Sequence, residues 1–146
     1  MPTSNSRGRS HPEAWITKSD VVTFEKVVGQ IISLRDDFSV QAKSKPDNLL
    51  NLFKLEFVNE KLAEANKILT GDHKPFKSFE QFDPDKLPSN SDVQLVLSQY
   101  LACLERWRSA HVYYDSASYK WFWRVQDDKI NADAATRPPS IEDKKR

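Results

Sequence analysis

Residues 91–125, SDVQLVLSQYLACLERWRSAHVYYDSASYKWFWRV, decide the fold, because the whole architecture depends on how far one helix runs through them. Ser91 with Gln94 forms a capping box ahead of an apolar run, the arrangement that satisfies the free N–H groups of a first helical turn. Large rings then recur every seventh residue, at Tyr100, Trp107, Tyr114 and Trp121. Beside them run Val96, Cys103, Ala110 and Ala117, smaller side chains at the same spacing. A spacing of seven holds a residue set on one slowly drifting helix face, and large beside small lets a second helix interdigitate. The pattern predicts a third helix from Val93 to about Val125, roughly 50 Å long at 1.5 Å per residue. A helix of that length overhangs its neighbours, bends, or breaks near residues 116–118.

Working outward, Phe24, Val27, Val28, Ile31, Leu34 and Phe38 fall at helical spacing and predict a first helix from Ser19 or Asp20 to about Lys43. Gly29 inside it is expected to mark close approach by a neighbour. Pro46 suits the first turn of a second helix. Leu55, Val58, Leu62, Ala65 and Leu69 give that helix its apolar stripe, Leu50, Phe53 and Phe57 widen it, and Gly71 ends it. Between residues 72 and 90, Phe76, Phe79 and Phe82 at period three anchor a long crossover, through a single helical turn near residues 78–82. The expected fold is therefore all-α: a three-helix or four-helix antiparallel bundle with a long third helix and a Phe-rich crossover loop. One domain is expected over residues 15–131, between polar, Pro-containing tails at 1–14 and 132–146.

Composition narrows the class of function. The 146 residues carry 22 Lys and Arg against 21 Asp and Glu, a formal net charge of +1, without the basic stripe that a nucleic-acid partner requires. A lone Cys103 excludes an internal disulfide or CxxC site and favours a reducing compartment. The absence of a secretory leader or an 18-residue apolar run makes the cytoplasm the expected location, away from any membrane.

The rings also carry the leading functional expectation. Trp121, Phe122 and Trp123 are consecutive and span about 200° of a helix, more than one core covers. Tyr119, Trp121, Phe122, Trp123 and Arg124 are therefore expected to leave aromatic surface at the end of the third helix, the chemistry of protein interfaces. A non-enzymatic interaction or regulatory domain follows, binding a protein partner or a second copy, with a homodimer favoured and no cofactor. The alternative is a small helical enzyme or a metal- or nucleotide-binding protein. It would use a polar line of Arg108, His111 and Asp115 together with Glu56 and Glu60, carboxylates one helical turn apart. No nucleophile, zinc or phosphate-loop motif accompanies these residues.

Overall fold

A computed structural model describes residues 15–126 and 135–139. Helices α1 (Lys18–Ser44), α2 (Leu52–Asn66) and α3 (Asn90–Ala110) precede strands β1 (Val112–Asp115), β2 (Lys120–Trp123) and β3 (Ala135–Thr136), which form one antiparallel sheet in the order β1-β2-β3. The fold is thus mixed α/β, which corrects the all-α bundle. The tail at 1–14 lies outside the described residues, as does most of 132–146, of which only 135–139 are described.

The correction occurs at the end of α3. The helix stops at Ala110, fifteen residues short of Val125, and the β-branched and aromatic run that follows pairs instead of coiling. Helix ends leave carbonyls without partners, and His111 supplies one: its Nδ1 lies 2.6 Å from the Trp107 carbonyl. A carbonyl can only accept, so this nitrogen carries the proton. The chain then turns back through residues 116–119. Tyr119 takes a left-handed φ of 59° and donates its N–H to the Asp115 carbonyl at 2.8 Å, while Ser118 Oγ donates to the Asp115 carboxylate at 2.7 Å. This closes a hairpin in which Val112 faces Trp123, Tyr113 faces Phe122 and Tyr114 faces Trp121. Tyr114 and Trp121 are seven apart because they are cross-strand partners, and of the four rings spaced by seven only Tyr100 and Trp107 lie on a helix.

The chain divides into two compact units, Met1–Val22 with Glu105–Arg146, and Thr23–Leu104. In the first, the sheet is extended by Ile16, which bridges Val125 in parallel and bonds to Arg124 and Gln126 through its backbone at 2.8 Å each. Among its described residues, Ile16, Trp107, Val112, Trp123 and Val125 are buried, with Arg108 and His111 among them.

The second unit is helical. Each helix buries one stripe: Phe24, Val27, Ile31, Leu34 and Phe38 on α1, Leu55, Val58, Leu62 and Ala65 on α2, and Val93, Leu97, Tyr100 and Leu104 on α3. The start of α1 is a reciprocal capping box, Thr17 Oγ1 accepting from Asp20 N–H and the Asp20 carboxylate accepting from Thr17 N–H. The box of α3 is Ser89 with Asp92, two residues before the expected Ser91 with Gln94. Pro46 does not open α2. Asn48 and Leu50 spend their backbone groups on Asn90 and Pro88 across a bridge between Leu49 and Ser89, so the helix waits for Asn51, whose side chain accepts from Lys54 N–H at 2.8 Å. Space around Gly29 is open, so it marks no close approach. Gly71 does sit at a positive φ of 57°, but it opens a 3₁₀ turn, Gly71–His73, beyond the helix.

The crossover is held by its rings and by two asparagines of α2. Phe76, Phe79 and Phe82 meet edge to face in sequence, at 5.7 and 5.2 Å between centroids, and Phe79 reaches Tyr100 at 6.5 Å. No helical turn forms at 78–82, where the chain instead offers backbone to α2. The Asn59 amide grips both the N–H and the carbonyl of Phe82, at 2.9 and 3.0 Å, and Asn66 donates to the Glu80 carbonyl at 2.8 Å. Asn66 also accepts from the Tyr100 hydroxyl at 2.9 Å; burial pushes this phenol up to about 12, against the opposing effect of that bond.

Candidate functional site

Three places carry residues singled out by sequence or left exposed by the fold. The hairpin is the first. Consecutive residues of a strand point to opposite faces, so Trp121 and Trp123 share one face with Val112 and Tyr114, and Phe122 shares the other with Tyr113. Trp123 is 1% exposed and stacks on Trp107 at 5.8 Å. Its place is in the core, which corrects the expectation that it lies on a surface at a helix end. Tyr114 and Trp121 pair at 5.4 Å, Tyr113 and Phe122 at 6.0 Å, and the Arg124 guanidinium lies 5.6 Å above the Tyr113 ring. Trp121, Phe122 and Arg124 are half-buried, whereas Tyr119 at the turn is exposed. Alternation thus divides the three consecutive rings between the two faces of the hairpin, with Trp123 buried.

Arg108, His111 and Asp115 of the polar line bond to different groups. Arg108 is fully buried and forks onto Glu105, with Nε to Oε1 at 3.0 Å and Nη2 to Oε2 at 2.6 Å. Its remaining donors reach the segment after β3: Nη1 donates to the Arg137 carbonyl at 2.7 Å and Thr136 Oγ1 at 3.3 Å, and Nη2 to the Pro138 carbonyl at 2.7 Å. Arg137 also approaches Glu105 at 3.6 Å. The guanidinium is a bracket that ties residues 136–138 to the end of α3. His111 Nδ1 bonds to the helix carbonyl, and the Asp115 carboxylate accepts from Ser118. Glu56 and Glu60 belong to the other unit and are exposed on α2, where Glu60 is 3.7 Å from Lys61. Among the described residues no group of three or more His, Cys, Asp or Glu is placed to hold a metal ion.

The third place lies outside the residues that sequence reasoning singled out as a site. Between α1 and α2 lies a groove of about 470 Å³, with Leu34, Asp37, Phe38, Val40 and Gln41 on one wall and Phe53, Lys54, Phe57 and Val58 on the other. Leu34, Phe38 and Val58 form its buried floor, while Val40, Phe53 and Phe57 stand 67%, 79% and 46% exposed. Lys61 lays its ammonium over the Phe57 ring at 4.9 Å. The sequence does contain the signal. At 100° per residue, Phe53 and Phe57 fall roughly 160° and 120° from the centre of the Leu55, Val58, Leu62 and Ala65 stripe, and Val40 falls about 160° from the centre of the α1 stripe. Apolar residues that far from a buried stripe cannot share its core; counting the two Phe as a wider stripe conceals them.

Among the described residues no helix is long and apolar enough to cross a membrane. No family model matches the chain, no curated protein matches its sequence, and no solved structure matches its fold.

Proposed function

We propose that this chain is a non-enzymatic protein-interaction domain whose docking surface is the groove between α1 and α2. The observation that carries the reading is the pair of exposed rings, Phe53 and Phe57, standing with Val40 around an apolar floor. Aromatic anchors beside a hydrophobic depression, rimmed by Asp37, Gln41 and Lys54, have the composition of an interface centre with its polar rim. Two exposed phenyl rings beside an apolar depression are more than the singly scattered apolar side chains of an ordinary surface, and association is the use that such a cluster supports. The aromatic hairpin, first expected to be the surface, serves this reading only at Tyr114 and Tyr119. A lone, buried cysteine at position 103 supports a cytoplasmic setting.

The test is the double variant Val40→Ser/Phe53→Ser in the full chain. In native cell extract the unmodified chain is expected to elute in size-exclusion chromatography well above its 16.9 kDa. The double variant is expected at the free chain's position with an unchanged melting temperature. An unmodified chain that already elutes as a free monomer contradicts the reading.

A further inference from the structure

As a docking surface, the reading on which the choice of occupant rests, the groove carries chemistry that selects among partners. Its walls bear opposite charges, Asp37 on α1 and Lys54 on α2. Both residues are exposed, and among the described residues neither is in an ion pair. Each wall also raises an apolar side chain, Val40 on one and Phe53 on the other. We propose that the occupant is a second copy of this chain, bound face to face about a two-fold axis that runs along the groove.

Symmetry makes the choice of axis a physical one. In an isologous dimer the same patch meets itself, and the axis in the plane of contact lies either across the groove or along it. Lying across, it stacks α1 on α1 and α2 on α2, so each wall meets a wall of its own charge. Lying along, it stacks α1 of one protomer on α2 of its partner, so the wall that carries Asp37 and Val40 meets the wall that carries Lys54 and Phe53. Opposite charges select the second arrangement and like charges penalise the first. The Phe53 ring of each protomer then enters the depression of the other.

The size of the surface sets the strength of the pairing. Val40, Phe53 and Phe57 are 67%, 79% and 46% exposed. At ordinary side-chain areas these three and the two charged stems present about 500 Å² per protomer, hence about 1,000 Å² for the pair, below the roughly 1,200 Å² of stable specific interfaces and in the range of transient ones. That size matches a dimer that exchanges with monomer.

Sedimentation equilibrium of the full chain tests the proposal. The mass is expected to rise with concentration from 16.9 kDa towards twice that value. Asp37→Lys alone, or Lys54→Asp alone, places like charges on both cross-contacts and is expected to weaken association at least tenfold. An equimolar mixture of the two variants restores it, because every facing pair in the mixed dimer is again opposite. A chain that stays monomeric throughout overturns the proposal. So does association indifferent to both substitutions, or a mixture no tighter than its components. Monomeric behaviour combined with a Val40→Ser/Phe53→Ser shift in extract would leave the docking groove standing and remove only the second copy as its occupant.

Discussion

Replacing Arg108 by Ala is expected to destabilise the fold by about 3 kcal/mol, although the residue lies far along the chain from any groove wall. A buried ion pair is weak evidence for net stability, since removing both charges from water costs nearly what their attraction returns. Breaking one by deleting a single partner is different. The Glu105 carboxylate, two main-chain carbonyls and the Thr136 hydroxyl all lose their donor at once, and the guanidinium's volume is left empty. Such losses run to about 3–5 kcal/mol. Glu105 is 25% exposed and can rehydrate, which holds the figure to the lower end. Glu105→Gln is expected to cost less, because an amide oxygen still accepts from the fork. Urea unfolding of the full chain measures both, and an Arg108→Ala midpoint equal to that of the unmodified protein would mean that the bracket contributes nothing.

Trp123→Ala is expected to be as damaging, at about 3–5 kcal/mol, the usual cost of cutting a buried Trp to Ala. The ring is 1% exposed and stacks on Trp107, so its loss opens a cavity beneath the sheet. Tyr119→Ala, only four residues earlier, is expected to change stability by less than about 0.5 kcal/mol, since Tyr119 is 80% exposed. The contrast separates a strand from a helix end. If residues 119–123 closed a long helix with surplus rings on its surface, Trp123→Ala would act on association and leave the melting temperature in place.

The sequence made α1 and the buried stripes of α2 and α3 legible, because apolar residues at period 3.6 over fifteen or more positions gather on one face only in a helix. The hairpin was not legible, for a specific reason. A spacing of seven returns to the same helix face, and it is also the separation of Tyr114 from Trp121 across a four-residue turn. Periodicity alone does not distinguish them. Local preference does: Val112, Tyr113, Tyr114, Trp121, Phe122 and Trp123 are all strand formers, and residues 116–118 are small, with Ser116 and Ser118 suited to a turn. Pro46 misled because the backbone at Asn48 and Leu50 was claimed by a partner some forty residues away, which no local rule registers.

The site was legible in part. Arg108 and His111 stand out in the sequence as polar groups where a core wants apolar ones, and both are buried. Arg108 brackets the segment after β3, and His111 bonds to a carbonyl at the end of α3. The groove depends on Val40 and the two Phe of α2 being on the wrong side of their own helices. That is visible on a helical projection only once the buried stripe is drawn narrowly.

The claim that the α1/α2 groove docks protein is tested most directly by site-specific photo-crosslinking. A benzophenone amino acid replaces Phe53 in the full chain and is irradiated in the native cell, with Lys86, exposed on the crossover, as the control position. The proposal predicts a discrete protein adduct from position 53 and none from position 86, with this chain itself as the adduct if the two-fold dimer is correct. Adducts equally diffuse from both positions, or absent from position 53, would contradict it.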